Sequence, residues 1–304
     1  MADILAQTVA RVMKRVRLAL IIALVSLAGA CAAASNAPNP GAPNPNAPPY
    51  PVLLTDVEGA RRQTALADWT RLMHEQNIVN AQEPELEPVT ATLQSIPQLS
   101  ASLYLPKVGE GVPMTEEETR ESLRRFINAH QELLGIEPQQ LSLVERVDAA
   151  DGTKRALYQQ RPFLRYNFRN GFGRVLITFT PDRRILNISS TAIPDIERLR
   201  VAGAGVGARA ELQTAELVTK NLAGRTISYT DANGRALSYT FTPQNRITPR
   251  QFVIYPVLRE DAPPALEFHL AWEVMVEGAP FRTLYLDAVT SEILSATNES
   301  PPEL

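Results

Sequence analysis

Apolar and polar positions along the chain follow two alternating periods. Val57, Ala65, Leu66, Trp69, Leu72 and Met73 recur at helical spacing, which predicts an amphipathic helix over residues 54–78. A proline-punctuated stretch follows, in which a short strand over Ser100–Leu105 is the readable element. Leu123, Phe126, Ile127, His130, Leu133 and Leu134 then form a second helical stripe. Thr115 and the acidic run Glu116, Glu117 and Glu118 open that helix as a capping box at its positive end, and Gly135 and Pro138 stop it. Beyond it the period changes to two. Segments 141–147 and 155–160 flank Asp151-Gly152, and segments 174–179 and 185–189 flank Pro181–Arg183, which predicts two hairpins.

The same order then repeats. Leu212, Ala215, Val218 and Leu222 share one helical face within 211–222, and segments 227–229 and 237–241 bracket the turn signal Asn233-Gly234. Runs 251–257, 266–276, 281–286 and 292–294 supply further strands. The expected fold class is therefore α+β: two modules, each a helix packed on an antiparallel β-meander, preceded by an N-terminal helix.

The first 51 residues obey neither period. Arg11, Lys14, Arg15 and Arg17 precede the uncharged run LALIIALVSLAGA over Leu18–Ala30, which is too short for a comfortable membrane span and has the layout of a signal peptide. Leu27-Ala28-Gly29-Ala30-Cys31 resembles the bacterial lipobox, which implies that Cys31 carries a diacylglycerol and becomes the new N-terminus. The alternative is ordinary cleavage at Ala28-Gly29-Ala30, leaving Cys31 a free thiol. Residues 31–51 hold seven prolines and almost no apolar surface, as expected of an extended tether. The expected order is thus a signal over 1–30, a tether over 31–51, an N-terminal helix and extended segment over 52–114, modules over 115–200 and 201–297, and a tail over 298–304.

Composition narrows the chemistry. The 304 residues are 44% hydrophobic and 21% charged, ordinary for a globular protein. Removing the signal leaves 26 basic and 32 acidic residues, a net −6, which argues against a nucleic-acid partner. With one cysteine and three histidines there is little to bind a soft metal, and no cofactor or metal site is expected. His74-Glu75 is followed by Gln76-Asn77-Ile78, so the zincin pattern H-E-x-x-H is missing, and G-x-S-x-G and a Walker lysine are missing too. Gly203–Ala208 matches G-x-G-x-x-A, but no acidic residue follows at ribose-binding distance, and the glycines read as an interdomain hinge. His130 reads as a packed helix-face histidine. No catalytic residue is assigned.

Residues 115–195, through FINAHQELLGI, LSLVERVDAADG, ALYQQ, RVLITFTPD and RILNISS, resemble the FTP domain in propeptides of fungalysin- and thermolysin-type metalloproteases. Residues 208–297, through AELQTAELVTKNLAG, LEFHLAWEVMVEG and FRTLYLDAVTSEIL, resemble the PepSY-type half of those propeptides. Ser291 stands where the family carries a turn glycine, Asp182 lacks its following glycine, and the loop Arg161–Phe172 is longer than the family link. The resemblance implies a free-standing, non-enzymatic binding protein that inhibits, helps fold or regulates an extracytoplasmic protease. The alternative is a cell-envelope scaffold lipoprotein with no protease link. The expected partners are a lipid membrane, through acylated Cys31, and an extracytoplasmic metalloprotease or other envelope protein, with the chain on the outer side of a bacterial membrane.

One further concentration stands out. Arg161, Phe163, Arg165, Tyr166, Phe168, Arg169, Phe172 and Arg174 interleave cationic and aromatic residues, a composition enriched at binding hot spots. They are the candidate partner contacts, together with the open edges of the two sheets. The competing reading is strand-alternating core and rim.

Overall fold

The computed structural model describes residues 49–298, apart from 57–58, 112–113, 231–233 and 261–262. The expected signal over 1–30, Cys31 and nearly all of the expected tether lie outside these residues. Among the described residues no helix is long and apolar enough to cross a membrane.

The helix predicted over 54–78 is in fact two elements. Strand β1 (Val52–Thr55) buries Val52 and Leu54 and exposes Leu53, a two-residue alternation. Helix α1 (Ala60–Glu75) begins after Gly59, whose left-handed φ of 64° breaks the chain direction, and buries Ala65, Asp68, Trp69, Leu72 and Met73. Strands β2 (Glu85–Leu86) and β3 (Leu93–Ser95) form a short ladder that no sequence signal marked, and the expected strand over 100–105 contracts to β4 (Leu103–Tyr104).

The capped helix is present as α2 (Glu116–Ala129). The Glu118 N–H donates to Thr115 Oγ1 at 3.2 Å and the Thr115 N–H donates to Glu118 Oε2 at 2.8 Å. His130 interrupts the stripe, and the short helix α3 (Gln131–Leu134) completes it at Gly135. Strands β5 (Leu141–Asp148), β6 (Lys154–Gln160), β8 (Arg174–Phe179) and β9 (Arg184–Ser190) form an antiparallel sheet in the order β4-β9-β8-β6-β5, and the two-residue strand β7 (Asn167–Phe168) is looped out between β6 and β8. Leu72, Leu123, Phe126, Ile127, Leu133 and Leu134 of the helices meet Ala156, Val175, Ile177, Phe179 and Ile188 of the sheet in one core. Each fully buried side chain of this size contributes ~1.5–3 kcal/mol.

Helix α4 (Ile196–Ala202) leads to α5 (Ala215–Leu222), which is capped by Thr214 Oγ1 accepting from the Leu217 N–H and is four residues shorter at its start than the predicted stripe. Hairpin β10 (Thr226–Thr230) and β11 (Ala236–Thr240) stands apart as its own two-stranded sheet. The second large sheet has the order β15-β14-β13-β12-β7, built on the long pair β12 (Arg246–Arg259) and β13 (Ala265–Glu277) with β14 (Thr283–Asp287) and β15 (Ile293–Thr297). A bulge between Pro249 and Gln251 absorbs a proline that cannot donate to the ladder. Val218 and Leu222 of α5 pack there with Ile254, Leu270, Trp272, Val274 and Leu284.

Two connections tie the cores into the unit spanning Pro48–Leu304. Strand β1 leaves its own helix and pairs antiparallel with β13, Val52 opposite Phe268. Strand β7, inserted between two strands of the first sheet, pairs parallel with β12 of the second, Asn167 opposite Val253 and Phe168 opposite Ile254. The glycine run 203–208, expected as a hinge, is instead the end of α4 and a 3-10 turn over Val206–Arg209. A Cβ on Gly203 would lie 2.8 Å from Leu164 Cδ1, so the run packs closely against the inserted segment.

Candidate functional site

The segment 161–174 reaches its position through aromatic burial. Phe163 and Phe168 are 2% exposed and Phe172 9%, all within the second core although the chain around them belongs to the first sheet. Phe163 stacks on Phe168 with centroids 6.1 Å apart, Phe168 meets Phe268 at 6.4 Å, and Tyr166 meets Phe252, which in turn lies 4.2 Å from Trp272. Arg169 is buried as well. Its Nε donates to Glu273 Oε2 at 2.6 Å and its Nη1 to the Phe168 carbonyl, while Glu273 Oε1 accepts from Gln251. Arg169 Nη2 has no partner.

The hot-spot reading of the eight residues is corrected accordingly. Phe163, Phe168, Arg169 and Phe172 are interior and join the modules, because β7 pairs with β12 and carries the aromatic side chains around it into the second core. Arg161, Arg165 and Arg174 are exposed and Tyr166 is half-buried. Arg165 and Tyr166 belong to a two-residue turn in which Phe163 and Tyr166 exchange backbone hydrogen bonds at 2.9 and 2.7 Å. Leu164 and Arg165, with φ of 48° and 76°, occupy the two positions of a type I′ turn that favour Asn and Gly. Non-glycine residues held there cost of order 1–3 kcal/mol, and such strain concentrates at ligand clamps. The turn presents Arg165 beside Arg200, over an open depression lined also by Pro162, Leu164, Tyr166 and Gly205.

A second cluster lies where β1 and β14 meet along one side of β13. Asp287, fully buried at the end of β14, receives four donors: Tyr50 Oη and His269 Nδ1 on Oδ2, both at 2.7 Å, and the N–H groups of Val289 and Thr290 on Oδ1, at 2.7 and 2.8 Å. Tyr50 Oη also accepts the Leu270 N–H at 3.0 Å. His269 Nε2 faces Glu267 Oε2 at 3.3 Å, and Glu267 Oε1 accepts from Arg259. Burial and the negative charge of Asp287 hold the Tyr50 phenol well above its usual value. For Asp287 burial acts upward, but the bonds from His269, Thr290, Tyr50 and Val289 outweigh it and lower the carboxyl below its usual range. For His269 burial acts downward, and the bonds and charges of Asp287 and Glu267 outweigh it, raising the imidazole.

A third polar group is the Asp68 carboxylate of α1, which accepts from His130 Nδ1 at 3.0 Å and from the Leu133 N–H at 3.1 Å. His130 is thus a packed, hydrogen-bonded residue, as its place in the stripe predicts. Among the described residues no group of three His, Cys, Asp or Glu side chains is arranged to hold a metal ion. Sequence reasoning missed the Asp287 cluster. Its only signals were Asp287 before Val289-Thr290, a side-chain turn pattern, and a histidine within the apolar run of β13.

No protein-family model and no curated protein matches the chain. Among solved structures it is similar to the Bacillus megaterium YpeB C-terminal domain, with 9% sequence identity and a TM-score of 0.28, over 80% of this chain and 97% of that chain.

Proposed function

We propose that the chain is a membrane-tethered extracytoplasmic binding protein of metalloprotease-propeptide type, which restrains or helps fold a partner protease. The observation that carries this reading is the strained turn Leu164-Arg165. It stands on an insertion longer than the family link and is braced from beneath by Phe163 and Phe168, with Arg161, Arg165 and Arg174 facing outward. A turn fixed in a costly conformation by core packing suits a preorganised contact. The lipobox-like Cys31 and the proline-rich tether support placement on a membrane surface, since a lipid-linked residue followed by an extended spacer sets a folded unit off the bilayer.

The purified chain should slow hydrolysis by a thermolysin-like enzyme of its own host, and Arg165→Ala should weaken that effect while leaving the fold intact. Unchanged rates at high micromolar chain concentration, with no complex formed, would remove the protease link. Mass spectrometry of the mature chain tests the tether separately, an unmodified Cys31 counting against it.

A further inference from the structure

We infer that strand β5 is a pairing edge for a second copy of this chain, joining two five-stranded sheets across a two-fold axis at Val147. Strand β5 ends the first sheet, and its apolar residues Leu143, Val144 and Val147 are 40, 57 and 40% exposed. Exposed apolar residues on an edge strand are a liability unless covered. The edge also offers backbone groups. Ala149 turns its N–H to the Thr153 carbonyl at 2.8 Å, so the alternation of an antiparallel ladder points the N–H and C=O of Arg146 and Asp148 away from β6.

Charge selects the occupant and the register. An isologous antiparallel pair must keep each residue on its own face of the sheet, so the axis passes through a residue. Centred on Glu145, Arg146 or Asp148, the pairing sets two like charges directly opposite each other, and centred on Val144 it falls on the bulge between Leu143 and Glu145. Centred on Val147, it sets Val147 against its own copy and Arg146 against the copy's Asp148 twice, on the face that Ala156 marks as inward. Within one chain Arg146 and Asp148 already attract at 3.7 Å, with Glu116 and Lys154 as their other neighbours, and both keep solvent-facing surface for a second partner. The bulge and the inward-pointing charges that guard the edge against other strands admit this one register.

The test uses the full-length chain in detergent, as a mixture of isotope-labelled and unlabelled copies, with a photo-crosslinking benzophenone side chain at position 147. The expected result is a labelled–unlabelled crosslink mapping to residues 145–149 of the second copy, with none from the same group at exposed Val201. Arg146→Asp should weaken self-association about tenfold by sedimentation, and Arg146→Asp with Asp148→Arg should restore it. A chain with native circular dichroism that stays monomeric at every concentration reached would overturn the inference. So would a crosslink that maps elsewhere or to another protein, or a dimer indifferent to Arg146→Asp.

Discussion

The Tyr50 hydroxyl donates to Asp287 Oδ2 at 2.7 Å, joining positions 237 residues apart at the junction of β1 and β14. The same oxygen accepts the Leu270 N–H, so one phenol satisfies both a buried carboxylate and a backbone donor in the gap between two strands. Tyr50→Phe should therefore destabilise the chain by ~1–3 kcal/mol, since it leaves both groups short of a partner without changing packing. Denaturant titration with an unchanged slope checks this. A loss below the error of the titration would mean that water replaces the hydroxyl.

The neighbouring imidazole makes stability depend on pH. His269 has its folded value raised, so its contribution is fully present below the unfolded value of about 6.5 and is lost as pH rises through the raised value. Asp287 has its value lowered, so its contribution is present above the unfolded value of about 3.9 and is lost as pH falls through the lowered one. The groups facing His269 are Asp287, Glu267 and Tyr50, with Arg259 bound to Glu267. The thermal midpoint of the native chain should exceed that of His269→Gln most between about pH 4 and 6.5, and the difference should shrink toward alkaline pH. A difference that grows with pH would contradict this assignment of charge.

The buried pair that ties the inserted segment to the second sheet supplies a sharper test. Arg169→Ala leaves the fully buried Glu273 without its cation and should cost ~3–5 kcal/mol. Arg169→Met with Glu273→Leu removes both charges, and with them the unpartnered Nη2, and should recover most of that loss. Calorimetry of the three chains distinguishes a charge effect from a packing effect, because packing loss alone would leave the double variant as unstable as the single one.

Left-handed residues give predictions of opposite sign. Ser291 and Arg165 have φ of 63° and 76°, conformations that glycine adopts without strain. Ser291→Gly and Arg165→Gly should each raise stability, by ~1 kcal/mol after allowing for the greater freedom of glycine in the unfolded chain. If Arg165 contacts a partner, its glycine variant will bind more weakly although it melts later, which separates contact from folding.

Asp68 fastens α1 to the α2–α3 junction through His130 and Leu133. Asp68→Ala should cost ~2–4 kcal/mol, since it orphans a buried ring nitrogen and a helix-end N–H together. Asp68→Leu, which fills the volume, should fare no better if the hydrogen bonds are what matter. Chemical denaturation of both variants decides between the two.

Periodic segments were legible in the sequence because one face of each is sealed against a core. The stripe from Leu123 to Leu134, the two hairpins of the first sheet and the capping box at Thr115 all stand where local spacing places them. Ser291, noted as standing where a glycine is expected, has a left-handed backbone, as does Arg183 after Asp182. What local spacing could not show was the exchange between modules. Leu54 falls within the segment predicted as helix and Val52 just ahead of it, yet their strand partners Leu266 and Phe268 lie more than two hundred residues away. The aromatics of 161–174 carry composition without period, and whether such a run is surface or interior depends on a strand that arrives later in the chain. The Asp287 cluster was hidden for the same reason: Tyr50 lies more than two hundred residues from the paired strands that carry His269 and Asp287.

The placement of β1 has a mechanical consequence. A pull on the polypeptide ahead of Tyr50 reaches the second core first, through Val52 and Leu54. It meets a strand of four residues aligned antiparallel to β13, with the Tyr50 phenol locked at its leading end. Force directed along that strand loads its hydrogen bonds together, in shear, and the phenol shares the load from the start. Strand β1 thus acts as the chain's fuse: the bonds that yield first are those that hold Tyr50 and β1 to the second sheet.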